Sequence, residues 1–303
     1  MIDFKTIKLS DKEWIDKLLV KANKRGCEYT FTNMFVWSNK CNVRVAKVND
    51  YLVVKLNSAA GISYMYPAGN GESKPVLLEM KKDAEENKHD FLLIGVDQES
   101  VGELESLFPN SFEYSEEQFS FDYLYYIDKL ADLPGKKLHA KRNHINRFIE
   151  NNHSWSFEPI TQDNIHECYT MDQEWYKLNQ ENQYRNPLDE GGAIKSALDN
   201  YAGLKLEGGM LRSNGRVIAF ALGGKINEDT YDVHFEEAFK DINGSYAMIN
   251  REFARYVREK YPEVIYINRE DDLGLEGLRK AKQSYYPDLM IKKHSVIYLV
   301  NSL

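Results

Sequence analysis

Arg212-Ser213-Asn214-Gly215-Arg216-Val217-Ile218-Ala219-Phe220-Ala221-Leu222 is the stretch from which the fold can be read. Asn-Gly accepts the left-handed backbone of a two-residue turn, so Asn214-Gly215 predicts a hairpin with Val217 to Leu222 as its returning strand. Downstream, Tyr231 to Glu236 reads as the next strand and Ser245 to Lys260 as an amphipathic helix. Val264-Ile265-Tyr266-Ile267 is a short apolar run suited to a strand buried on both faces. Leu273 to Gln283 then reads as helix and Ile291 to Val300 as a final strand. Upstream, helical regions are expected over Thr161–Leu178 and Gly192–Tyr201.

The same order of elements occurs once before. Ser10 is expected to cap a first helix, with Glu13 completing a capping box and Trp14, Ile15, Leu18 and Leu19 on the apolar stripe. A hairpin follows, Val43 to Val48 turning at Asn49-Asp50 into Tyr51 to Leu56. Ile62 to Tyr66 is a strand, Pro75 to Asn87 a helix, Phe91 to Ile94 a buried strand and Glu99 to Phe108 a helix. Two strands close this half, one around Phe112 and one over Phe121 to Ile127. Helix, hairpin, strand, helix, buried strand, helix, strand therefore appears twice, which predicts a structural duplication. The expected class is α/β (α+β), with mixed sheets flanked by helices, divided into residues 1–130 and 131–303. Leu133-Pro134-Gly135 punctuates the join, and the second half is the expected active one.

The 303 residues carry 39 Lys+Arg and 47 Asp+Glu, a net charge of −8, which argues against wholesale nucleic-acid binding but permits a local basic site. No apolar run reaches the length of a membrane helix, and Met1-Ile2-Asp3-Phe4-Lys5 does not begin like a signal peptide. Cys27, Cys41 and Cys168 are odd in number and lack metal-ligand spacing, so free thiols in a reducing cytoplasm are expected. There is no HExxH, Walker pattern or Ser-His-Asp order, so neither a metal nor a covalent nucleophile is expected.

Three groups of residues attract attention. Lys136 to Phe148 is basic within an acidic chain, and Lys141 falls on the apolar side of the predicted helix, one turn before Ile145. Lys141 and Arg142 also sit near the helix start, where the dipole disfavours cations unless an anion binds. On the strand Tyr231 to Glu236, alternation puts Asp232, His234 and Glu236 on one face. Gly244 precedes a helix and offers backbone N–H groups, Tyr246 follows in its first turn, and Asn250 lies at the edge of the apolar stripe. Asn268-Arg269-Glu270-Asp271-Asp272 directly follows a buried strand, where α/β sheets collect ligands, and the next helix carries Arg279 and Lys282.

With Leu133-Pro134-Gly135, Lys141 to Phe148, Asn250 and Asn268 to Lys282 quoted, the chain resembles a bacterial family of uncharacterised proteins. That family is grouped with the C-terminal catalytic domain of phosphatidylglycerol lysyltransferase. The resemblance covers nearly the whole chain and implies two tandem GNAT-like acyltransferase domains. It implies transfer of an aminoacyl group from aminoacyl-tRNA to a lipid head group or, as in Fem-type enzymes, to a cell-envelope precursor. The membrane-spanning half of the lysyltransferases has no counterpart here, so the expected location is cytoplasmic or peripheral to the membrane, and no oligomeric state is assigned. No cofactor is required on this reading. Acyl-CoA is the alternative donor, weakened because Asp241 to Tyr246 holds one glycine where the acetyltransferase phosphate loop has several. A binding module on a retained GNAT scaffold is the third reading. For transfer, Glu236 or His234 is the expected base. Lys141, Arg142, Arg269, Arg279 and Lys282 are the expected phosphate or carboxylate contacts. Asn143, Asn146, Asn250 and Asn268 are expected to orient substrate or brace the junction, with Gly244, Tyr246, Glu270 and Asp271 completing the site.

Overall fold

A computed structural model of the chain describes residues 2–179 and 190–299. They form two compact units. The first comprises the chain up to Asp122, Asp271–Lys280 and the chain from Met290; the second comprises Tyr123–Glu270 and Ala281–Leu289.

In the first unit, helix Lys12–Ala22 starts on Asp11. The Asp11 carboxylate accepts from the Lys8 N–H and from Trp14 Nε1, both at 2.9 Å. Asp11 rather than Ser10 therefore fastens this end, because Ser10 lies inside a 3-10 turn, Leu9–Asp11. Two short helices that alternation did not suggest, Phe31–Val36 and Ser38–Cys41, precede the hairpin. The sheet runs Lys5–Thr6, Arg44–Val48, Tyr51–Ser58, Gly61–Met65, Leu92–Asp97, Lys293–Tyr298, Phe112–Glu116 in space. Helix Lys74–Glu86 packs Val76, Leu77 and Met80 into a core with Val53, Tyr64, Leu93 and Val296. Each such side chain, once fully buried, contributes roughly 1.5–3 kcal/mol.

In the second unit the spatial order is Leu289–Ile291, Asp122–Tyr126, Tyr266–Asn268, Thr230–Ala238, Arg216–Lys225, Glu207–Ser213, Ser156–Pro159. The hairpin is as expected: Ser213 pairs with Arg216, and Asn214 and Gly215 both have positive φ, 52° and 78°. Helix Ser245–Lys260 buries Met248, Ile249, Phe253 and Val257 against the sheet, and Arg258 and Lys260 sit in its last turn, where cations suit the dipole. Pro262 follows, which cannot continue a helix.

The two sheets repeat one plan, as the duplicated element order predicts. Three antiparallel strands lead through a crossover helix to a parallel neighbour. Gly61–Met65 reaches Leu92–Asp97 through Lys74–Glu86, and Thr230–Ala238 reaches Tyr266–Asn268 through Ser245–Lys260. Beside the parallel strand lies Lys293–Tyr298 in one sheet and Asp122–Tyr126 in the other. The strand that closes each half of the sequence thus sits in the sheet of the other half. The compact units accordingly do not divide at one point near residue 130; the chain passes between them at Asp122, Glu270, Lys280 and Leu289. Val300, the end of the expected final strand, lies outside the described residues.

Candidate active site

The central strand Thr230–Ala238 pairs in parallel with Tyr266–Asn268 through three residue pairs, ending at Asp232↔Asn268. On its other side Leu222 pairs with Phe235 and Gly223 with Val233, so His234 is an extra residue in the ladder. Such a bulge bends a strand and re-aims its side chains. Tyr231 packs edge-to-face against Phe253, and Glu236 accepts a hydrogen bond from Asn250, although an odd separation of five residues would put these two on opposite faces. Both partners lie on helix Ser245–Lys260. The inserted His234 is the reason. The expectation that Asp232, His234 and Glu236 share one face is therefore corrected.

Glu236 and His234 consequently belong to two separate polar groups. Glu236 Oε1 accepts from Arg269 Nη2 at 3.0 Å, and Oε2 accepts from Asn250 Nδ2 at 2.9 Å. Arg269 lies 5.1 Å from the centre of the Tyr285 ring and 5.9 Å from that of Tyr125. The Lys141 ammonium stands 4.0 Å over the same Tyr285 ring. It comes from helix His139–Asn151, whose Ile145 and Phe148 are buried. Burial, reinforced by the Arg269 charge and opposed by Glu236, brings the Lys141 amine down to about 8. Lys282 Nζ donates to the Arg269 carbonyl at 2.5 Å, and Tyr125 Oη donates to the Lys282 carbonyl at 2.7 Å. The basic segment at the midpoint and the polar segment near residue 270 thus meet, with two cations and one carboxylate around Tyr285. Two polar atoms of this group are buried without a partner, Arg269 Nη1 and Asn250 Oδ1.

His234 has a different task. Its Nδ1 lies 3.2 Å from Asp232 and 3.1 Å from Glu270. Burial works against its charge, but the two carboxylates outweigh burial and raise it to about 9. An imidazolium at neutral pH has no lone pair for a substrate proton, so the reading of His234 as base is corrected. It instead holds Glu270, whose backbone is left-handed at φ 56°. The Glu270 N–H donates to Asn268 Oδ1 at 2.7 Å, and Tyr123 N–H donates to the Glu270 carbonyl at 3.2 Å. Strain of this kind persists only where neighbours over-determine it. Asn268 is therefore a brace, and Glu270 positions the preceding Arg269. Because the folded-state value lies above the unfolded one near 6.5, the stabilisation is complete below pH 6.5 and is lost as pH rises through 9. In urea melts at pH 6.5 and 9.5, His234 should contribute a loss of about 3 kcal/mol across this window, offset in part by Lys141, whose lowered amine sheds its charge over the same range. His234→Gln should remove that share, so its melts should fall less or rise over the window, and an unchanged slope in the variant would refute the assignment.

The remaining candidates fall elsewhere. Arg142 Nη1 donates to the carbonyls of Leu133 and Gly135 and so fastens the Leu-Pro-Gly turn. Asn143 Nδ2 lies 3.2 Å from His139, and Asn143 and Asn146 are exposed on the outer face of their helix. Gly244 has φ 85°, and a Cβ there would stand 2.3 Å from the His144 carbonyl oxygen. Close helix packing explains this glycine. Tyr246 Oη approaches Glu237 at 3.4 Å. Asp271 and Arg279 lie in the first unit, where Asp271 accepts from the Leu273 N–H and Arg279 makes a two-bond pair with Asp272 at 2.8 and 2.9 Å. Arg279 is thereby a structural cation rather than a phosphate contact.

Sequence reasoning missed Tyr125 and Tyr285, whose rings hold the cations, since tyrosines on short strands and turns carry no spacing signal. It also missed a buried cluster in the first unit. Lys293 Nζ lies 2.6 Å from Glu28, 2.8 Å from Asp122 and 3.5 Å from Cys27. Among the described residues, two groups have metal-ligand composition: Cys27, Glu28 and Asp122, and Asp232, His234 and Glu270. In the first the Lys293 ammonium already supplies the positive charge, and in the second His234 itself does.

Duplicated mixed sheets, each with a short parallel ladder beside a crossover helix, define a tandem acyltransferase (GNAT-type) fold. Residues 20–297 match the family described as phosphatidylglycerol lysyltransferase, C-terminal, and the chain belongs to that family. A conserved protein of unknown function from Bacteroides thetaiotaomicron VPI-5482 has a crystal structure with TM-score 0.93 and 41% identity, covering 99% of this chain and 100% of that one. The C-terminal domain of a putative lysylphosphatidylglycerol synthetase from Agrobacterium fabrum shares the fold at TM-score 0.70 and 14% identity, over 96% of this chain and 92% of that one. An uncharacterized protein of Mycoplasmoides gallisepticum is 25% identical over 185 residues, 58% of this chain; the chain spans about half, 56%, of that curated relative. No helix among the described residues is long and apolar enough to cross a membrane.

Proposed function

We propose that this protein transfers an aminoacyl group from aminoacyl-tRNA to an amine or hydroxyl of a lipid head group or cell-envelope precursor. The observation that carries this reading is the convergence of Lys141, Arg269 and Glu236 around Tyr285, beside the point where the central strand loses its parallel partner. Family membership supports aminoacyl transfer at the level of the family. The acceptor atom attacks the ester carbonyl and forms a tetrahedral oxyanion. Arg269 Nη1, a donor with no other partner, faces this charge. Glu236 takes the proton of the attacking group and returns it to the departing ribose hydroxyl, so no proton is gained or lost overall. Lys141 offers a second cation for the donor's phosphate.

The test is direct. Purified protein is mixed with tRNA bearing a radiolabelled amino acid and with a washed envelope fraction, across the amino acids. Label should pass to the acceptor from at least one charged tRNA, and rising salt should suppress it steeply as phosphate contacts are screened. No transfer from any charged tRNA, together with thermal stabilisation by an acyl-CoA, would replace this reading with coenzyme A-dependent acylation.

A further inference from the structure

We infer that Lys141 is a modification site for carbon dioxide: its amine takes CO2 as a carbamate, and the carbamate oxygens accept from the Arg269 guanidinium. Two donors of this group lack an acceptor. Among the described residues Lys141 Nζ has no hydrogen bond and no ion pair, and its contact is the face of the Tyr285 ring, 4.0 Å away. Arg269 shares that ring at 5.1 Å, and its Nη1 is buried without a partner, since Nη2 donates to Glu236. Two cations at one ring, each with an open donor, call for an anion. A lysine can become that anion, which an arginine cannot, because its amine can shed its proton. Lys141 lies in the first turn of helix His139–Asn151, where the dipole disfavours a cation. Burial and then the Arg269 charge bring the amine down to about 8, against the pull of Glu236. Other lysines of this unit are held as cations: Lys129 by Asp288, Lys195 by Asp199, Lys225 by Glu263 and Lys260 by Glu207.

The uncharged amine adds to the carbon of CO2. A carbon–nitrogen bond forms, one carbon–oxygen π pair becomes an oxygen lone pair, and one proton leaves the nitrogen for water. The product is a carbamate anion, and no oxidant or nucleotide is consumed. A positive charge beside Arg269 is thereby exchanged for a negative one, and hydrogen bonds from a guanidinium to such oxygens are among the strongest. Glu236 keeps its bonds from Arg269 Nη2 and Asn250 Nδ2. The consequence rests on the proposed transfer. A carbamate removes the cation offered to the donor's phosphate and occupies the Arg269 donor that faces the oxyanion, so carbon dioxide should inhibit.

The experiment separates the modification from the reaction. Purified protein is held near pH 8 with isotopically labelled bicarbonate, and carbamates are fixed with a trialkyloxonium salt and located by peptide mass spectrometry. Label at Lys141 should exceed that at any other lysine by about tenfold or more, since each unit below the ordinary lysine value gives about tenfold more uncharged amine. Lys141→Arg should remove that label, and folded Arg269→Gln should lower it by about threefold or more. If Arg269→Gln does not fold, the distribution of label in the wild type decides alone. Label spread evenly over the lysines, absent from Lys141, or undiminished in folded Arg269→Gln overturns the inference. In the transfer assay, bicarbonate should slow the wild type by about threefold or more and leave the rate of Lys141→Arg where it was. Wild-type transfer that ignores bicarbonate while Lys141 carries the label overturns the inhibition. Label at Lys141 with no transfer from any charged tRNA leaves the carbamate standing and removes the transferase reading, and transfer with no label at Lys141 does the reverse.

Discussion

Lys293→Met should lower the stability of the protein by about 3–5 kcal/mol, the range seen when one partner of a buried ion pair is removed. Lys293 is 4% exposed, and its ammonium is shared between Asp122 and Glu28. Asp122 is fully buried, and its second oxygen accepts the Cys27 N–H at 2.8 Å. Methionine fills the space of the lysine stem but leaves the fully buried Asp122 carboxylate without its cation. Burial already pushes the Glu28 carboxyl up, so Glu28 can relax by taking a proton. Asp122 is held to its role by Cys27. The double variant Lys293→Met with Asp122→Asn should recover much of the loss, since Asn keeps an acceptor for Cys27 and carries no charge. Denaturant midpoints at neutral pH measure both. A loss below about 1 kcal/mol in the single variant would mean that the cluster is solvated or slack.

Glu236→Gln should reduce aminoacyl transfer by about 10²–10⁴-fold, the scale of losing a positioned proton acceptor. It should also cost roughly 2–3 kcal/mol of stability, because Arg269 and Asn250 lose a charged acceptor. The two effects are separable by comparing kcat at saturating donor with the folded fraction. Arg269→Lys is the control, since a lysine has no second nitrogen to reach beyond Glu236. Transfer by Glu236→Gln within about threefold of wild type would move the proton acceptor elsewhere. The Lys141 amine would then become the candidate, since it lies in the same group.

Some of this was legible in the chain. Asn214-Gly215 predicts its turn because only Asn and Gly readily accept two consecutive left-handed residues, and both are left-handed in the structure. Repetition of element order predicts the duplicated sheets because each helix and strand is set by nearby spacing. The basic helix and the segment after Ile267 stand out as residues placed against local preference, and they do meet. His234 was misread because a bulge is one residue out of step and leaves the sequence alternation unbroken. Arg142 and Arg279 were misread because nothing local shows that a cation already has carbonyls or a carboxylate to satisfy it.

The sequence by itself determined the Asn-Gly turn, the apolar stripes of the longer helices and the doubled order of elements, since these depend on contacts a few residues apart. The tertiary structure alone decided which closing strand joined which sheet, which arginines were spent on structure, and where a carboxylate left two neighbours half satisfied. Those outcomes turn on pairings such as Lys293 with Glu28 and Arg269 with Glu236, 265 and 33 positions apart. Burial, not spacing along the chain, sets their energy.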